Sequence, residues 1–142
     1  MFFEQTTIIF QLLFAMFLGI VVGADREIVG KEAGIKTYSL VAVGSTMFTI
    51  LSMNPIFPDN GRIISQIIVG IGFIGAGLII FHQNKVHGLT TAAALWVMAA
   101  IGVAIGMEYY FLAAFGTAII MIVLFGFRIL KLEERIHKIN RS

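Results

Sequence analysis

Residues 63–84 read IISQIIVGIGFIGAGLIIFHQN, twenty-two positions without one Asp, Glu, Lys or Arg. A helix that crosses the hydrocarbon core of a bilayer needs roughly 20 such residues. The same gap recurs along the chain: residues 5–24, 37–58, 86–107 and 109–127 are also free of those four residue types. Across all 142 residues 58% are hydrophobic and 13% charged, against about 25% charged in an average soluble domain. The expected fold is therefore an all-α integral membrane bundle of about five transmembrane helices. The spans are placed at about Thr6–Ala24, Thr37–Met53, Arg62–Phe81, Thr90–Ile105 and Tyr109–Arg128. Asn54-Pro55 and Pro58-Asp59-Asn60-Gly61 mark the turn between the second and third. What remains is loops and a short tail, too little for a soluble catalytic or nucleotide-binding domain. The domain division is a transmembrane domain over 1–128 and a basic tail over 129–142.

Short-loop basic residues orient such a bundle. Arg26, Lys31, Lys36, Lys85, Arg128, Lys131, Arg135, Lys138 and Arg141 fall on one side of a five-span topology, and Arg62 alone on the other. The N-terminus is expected outside and the C-terminus in the cytoplasm. The net charge of +2 then reflects topology, and no nucleic-acid partner is expected. No Lys or Arg precedes the first apolar run, so the first helix is read as retained and not as a signal peptide. Cysteine is absent, which excludes disulfides and thiolate chemistry. In the tail, Ile129, Leu132, Ile136 and Ile139 recur at helical spacing among basic residues, as expected of an amphipathic helix lying on anionic lipid or docking a partner.

Gly70-Ile71-Gly72-Phe73-Ile74-Gly75 matches GxGxxG literally, but it sits inside a membrane span, with Leu95 where a ribose-binding acid would belong. A dinucleotide site is excluded. Two readings of Gly70, Gly72, Gly75 and Gly77 remain: close packing of a central third helix, or a broken helix that exposes carbonyls to an ion. In the first helix Ala15, Gly19 and Gly23 form a small-residue face. Arg26 continues that face, flanked by Asp25 and Glu27. The triplet is either a solvated or internally paired helix end, or an ionisable group aimed at neighbouring helices and therefore functional.

The second helix carries Thr37, Ser39, Ser45, Thr46, Thr49 and Ser52, as a packing face or a polar path. Thr90 and Thr91 begin the fourth helix, as caps or as an anion site. Gln66 is a polar side chain one turn into the third helix. His82, His87 and His137 have no acid beside them to complete a zinc site. No metal site, catalytic residue or cofactor is expected.

Several of these segments, in order, resemble the membrane domain of the MgtC/SapB family. They are Gly19-Ile-Val-Val-Gly23-Ala-Asp25-Arg26-Glu27; Ala33-Gly34-Ile35-Lys36-Thr37, with Lys where Arg is common; Arg62; GIGFIGAG over 70–77; and Val86-His-Gly88-Leu89-Thr90-Thr91-Ala92-Ala93 with Trp96. The resemblance implies a multi-pass protein of the bacterial inner membrane linked to adaptation to low magnesium and to survival of pathogens inside host cells. Longer members carry a soluble C-terminal domain, which this sequence is not expected to include. Two functions follow. One is non-enzymatic regulation through binding to other membrane proteins, the ATP synthase subunits among them, by a homo-oligomer, with a dimer as the guess. The other is transport of Mg²⁺ or another small ion, with Mg²⁺ as ligand or substrate. The residues expected to carry function are Asp25, Arg26, Glu27, Thr37, Arg62, Thr90 and Thr91. The glycines at 19, 23, 70, 72, 75 and 77 serve packing or backbone exposure.

Overall fold

A computed structural model describes residues 2–54, 59–82 and 85–139, with side chains over 5–54, 59, 61–81 and 86–126. Five helices follow one another: α1 (Phe2–Ile28), α2 (Ile35–Ser52), α3 (Asn60–Leu78), α4 (Leu89–Gly106) and α5 (Tyr110–Ile139). Three are long and apolar enough to cross a bilayer, over Gln5–Ile28, Gly61–Leu78 and Leu89–Gly106. The distribution of polarity is inverted relative to a soluble protein. Phe73 and Phe111 are more than four-fifths exposed, while Gln11, Arg26, Thr46, Thr49, Ser52 and Thr91 are buried. A surface of this kind belongs in lipid, and the chain is an integral membrane protein.

The bundle is built around α2, which packs most extensively against α1 and α4. Glycines make the approach. A Cβ on Gly19 would stand 2.5 Å from the Ser39 Cα, and one on Gly23 2.6 Å from the Ile35 Cα. From the other side, Gly102 would meet the Ala42 carbonyl oxygen at 2.5 Å and Gly106 the Thr49 Cβ at 2.5 Å. Lipid gives little hydrophobic drive for helices to associate, so this close van der Waals contact is what holds them. The α2 hydroxyls of Thr46, Thr49 and Ser52 turn to carbonyls, while the buried Ser39 hydroxyl finds no partner among the described residues. Thr46 Oγ1 donates to Ala42 O and, across the interface, to Gly102 O, each at 2.9 Å, and Thr49 Oγ1 donates to Ser45 O at 2.8 Å. They form a packing face. At the far end Gln11 donates from Nε2 to Ile105 O at 3.0 Å, satisfying a carbonyl in the last turn of α4. Phe10 and Phe14 meet the Tyr110 ring edge-on and tie α5 to α1.

The third helix differs from expectation. It lies at the edge of the bundle, the least buried of the three apolar spans. A Cβ on Gly70, Gly72 or Gly77 would meet nothing within 4 Å, and only Gly75 approaches a neighbour, the Ala92 Cβ at 3.4 Å. Small residues permit close approach but do not specify that a partner is present. Nor do the glycines break the helix, which runs unbroken from Asn60 to Leu78. Each Gly costs about 1 kcal/mol of helix propensity, but backbone groups in lipid have no other partners. The helix also stops three residues before Phe81. An antiparallel hairpin follows, β1 (Ile80–His82) with β2 (Lys85–His87), pairing Phe81 with Val86. Gly88, at φ +80°, then turns the chain into α4 so tightly that a Cβ there would collide with the Leu78 carbonyl.

The first and fifth helices are longer than expected. The fifth continues through Arg128 to Ile139, so the tail begins as an extension of that helix. Its side chains, and residues 140–142, lie outside the described residues, as does the Pro55–Pro58 turn.

Overpacking at a backbone contact costs roughly 1–3 kcal/mol. Gly19→Ala and Gly102→Ala should therefore each lower the melting temperature of the detergent-solubilised protein. Gly72→Ala, on an open helix face, should leave it unchanged or raise it. Equal sensitivity at all three positions would contradict the assignment of α2 as the packing centre.

Candidate functional site

The seam between Gly23 and Ile35 brings the C-terminal end of α1, the N-terminal end of α2 and the N-terminal end of α4 together at one end of the bundle. Arg26 continues the buried face of α1 and is itself only 4% exposed. Its Nε and Nη2 both donate to Asp25 Oδ2, at 3.0 and 2.6 Å. Isolated charges are costly in such a place, and a hydrogen-bonded pair offsets part of that cost. Asp25, Arg26 and Glu32 all lie within electrostatic reach of the Tyr38 hydroxyl. Tyr38 is fully buried, and its hydroxyl donates to Thr91 O at 3.5 Å, at the limit of a hydrogen bond.

Two carboxylates clasp this end, one from the last turn of α1 and one from the α1–α2 connection. Glu27 Oε2 accepts the Ile35 N–H at 2.9 Å and so caps the N-terminus of α2, whose dipole favours a negative charge there. A Cβ on Gly34 would displace that same Glu27 carboxylate. Glu32 Oε2 accepts from Thr91 Oγ1 at 2.9 Å and joins the connection to α4. Its own backbone N–H, then the Thr91 hydroxyl, then Lys31 and His87, hold the Glu32 carboxyl below its ordinary value; slight burial opposes them.

Of the seven residues singled out from the sequence, Asp25, Arg26, Glu27 and Thr91 meet here. Thr37 is half-buried and Thr90 exposed, and among the described residues no hydrogen bond joins either to the cluster. Arg62 is at the opposite end of the bundle, opening α3. The capping role weighed for Thr90 and Thr91 is not realised. Gly88 occupies the cap position of α4 without a side-chain bond, and the Thr91 hydroxyl is spent on Glu32. Sequence reading missed Glu32 and Tyr38, which carry no local motif. It also missed Gly102 and Gly106, whose four-residue spacing was a usable signal. Among the described residues no three His, Cys, Asp or Glu side chains come together to hold a metal ion. The cluster's chemistry is that of a structural lock with one buried cation, without a nucleophile paired to a base.

The profile of the MgtC family matches residues 12–132. "Protein MgtC" of Salmonella typhimurium (strain LT2) is 44% identical over 113 residues, covering 80% of this chain and 49% of its own length. "Putative magnesium transporter YhiD" of Escherichia coli (strain K12) is 40% identical over 112 residues, covering 72% of this chain and 52% of its own. An uncharacterized protein of Haemophilus influenzae is 39% identical over 130 residues, covering 84% and 55%. The chain thus spans about half the length of the curated relatives it matches. No solved structure matches it.

A carboxylate whose value is depressed on folding stabilises the fold above its ordinary value near 4.5, and that contribution is lost as pH falls through the lowered value. Thr91→Val removes the neutral-pH benefit of the hydrogen bond, roughly 1 kcal/mol. It should also flatten the fall in melting temperature seen on acidification below that ordinary value. An unchanged acid profile in Thr91→Val would detach Glu32 from the lock.

Proposed function

This chain belongs to the MgtC family, and from that premise we propose that it is a non-enzymatic, multi-pass protein of the bacterial inner membrane. In this reading it serves magnesium homeostasis by binding and regulating other membrane proteins, the ATP synthase subunits among the candidates. All five helices span the membrane, the N-terminus is outside, and the chain works as a homo-oligomer. The observation that carries the regulatory reading is the sealed interior. Glycine contacts press α1 and α4 onto α2 at backbone distance, and the Thr46 and Thr49 hydroxyls are committed to carbonyls. Buried oxygens that already accept or donate within the bundle are poor ligands for a passing cation, and Mg²⁺ wants a near-octahedral oxygen shell.

The topology has separate support. The Glu32–Thr91 bond brings the 25–36 and 82–89 connections to one end of the bundle, so Arg26, Lys31, Lys36 and Lys85 gather there, as the positive-inside bias requires. Regulation also needs a face for a partner, and the exposed side of α3 offers one, with Phe73 projecting beside Gly72 and Ala76.

A second reading, passage of Mg²⁺ or another small ion, rests on one feature. A cavity of about 640 Å³ opens at the end opposite Arg26, lined among others by Thr7, Gln11, Asn54 and Glu108. The printed name of the Escherichia coli relative points the same way. Gly106, which lines that cavity, is pressed against Thr49 where an added Cβ would stand at 2.5 Å, and regulation is favoured for that reason.

Arg26→Ala should abolish growth support in low magnesium in a strain that depends on this chain, with protein still present in the membrane fraction. Arg26→Lys, which keeps the charge but not the planar donor pair, should give an intermediate phenotype. Full complementation by Arg26→Ala would remove the lock from the function.

A further inference from the structure

Between α2 and α3 an apolar groove of about 570 Å³ runs along the outside of the bundle. One row of α3 lines it at four-residue spacing: Arg62, Gln66, Gly70 and Ile74. Polarity along this row falls in a single direction, from a cation through an amide to bare backbone and then an alkyl chain. The facing wall runs from Phe48 at the Arg62 end through Ser45 and Gly44 to Val41 and Leu40, apolar but for Ser45. Gly44 and Gly70 make the groove. A Cβ at either would meet nothing within 4 Å, so neither glycine serves a contact between the described helices of this chain.

We propose that this groove is a site for one acyl chain of an acidic phospholipid, with the lipid phosphate on Arg62. Twelve residues of helix from Arg62 to Ile74 rise about 18 Å, close to the depth of one leaflet, half of a core of about 30 Å. Arg62 is the sole Lys or Arg between Lys36 and Lys85. Among the described residues its guanidinium enters no ion pair; its backbone N–H is the group that bonds Asp59 Oδ1, at 3.1 Å. Gln66, one turn deeper and exposed in an otherwise apolar stretch, stands where the ester carbonyls of a lipid offer acceptors for its amide. A partner helix fits less well, since its apolar side chains would cover Gln66 and Arg62 without satisfying either. The inference needs only that the chain is embedded in a bilayer and is independent of the regulatory reading.

The test is native mass spectrometry of the full chain in mild detergent, titrated with phosphatidylglycerol or phosphatidylethanolamine of identical acyl chains. The wild type should hold one lipid per chain and prefer the acidic headgroup by about fivefold, the effect of one arginine at an anionic surface. Arg62→Gln should keep the lipid and lose the preference. Gly70→Leu should fill the groove and lose the lipid at an unchanged melting temperature, and Gly44→Leu, from the opposite wall, repeats the test if that variant does not fold. Equal retention of the two lipids by the wild type would overturn the proposal. So would undiminished binding in the folded leucine variant, or a dimer that excludes lipid and crosslinks through cysteines placed at Phe48.

Discussion

The constraint on which the rest depends is the approach of α1 and α4 to α2 at backbone distance. Four glycines, at 19, 23, 102 and 106, leave no room for a single added carbon. Dispersion and short polar bonds do the work here that water exclusion does in a soluble core. The consequence is a rigid three-helix centre with α3 and α5 attached to its outside. Hydroxyls on α2 are tolerated where they find a carbonyl, as those of Thr46, Thr49 and Ser52 do; the buried Ser39 hydroxyl finds none among the described residues.

The polar end follows from the same contact. With Gly23 against Ile35, the α1–α2 connection has to reverse within a few residues, and Gly30, at φ +68°, and Gly34 make that reversal. Glu27 then reaches the first amide of α2, and Glu32 reaches Thr91 on α4. Arg26 is carried inward on the face that begins with Ala15 and Gly19. One cation is thus buried against its neighbouring aspartate at the junction of three helices. A small change of interhelical angle there would break several bonds at once.

Much of this was legible in the sequence because charge is so sparse. The helix count, the membrane setting, the small face of α1 and the inward aim of Arg26 all follow from where charged and small residues stand. The centre of the bundle was not legible. GIGFIGAG over 70–77 looks like the tightest packing surface in the chain, yet most of it meets no neighbour. The pair Gly102 and Gly106, spread over one turn of α4, packs as closely as Gly19 does, at 2.5 Å. Glycine content reports what a helix permits, and the partner is decided by the whole set of seams. The Glu32–Thr91 bond spans 59 residues, and no local pattern announces it. The hairpin after Leu78 was hidden because Ile79-Ile80-Phe81 is as apolar as the helix before it, and β-branched and aromatic side chains suit an extended backbone equally well.

In the proposed function, the glycine-packed core works by contact with other proteins and does not conduct. That function is tested most directly by magnesium flux into liposomes carrying the purified chain and an internal magnesium-sensitive dye, with Arg26→Ala liposomes alongside. The account predicts dye responses equal to those of empty liposomes for both proteins. Flux through the wild type that disappears in Arg26→Ala would contradict it and would make the cavity beside Glu108 the mouth of a pathway.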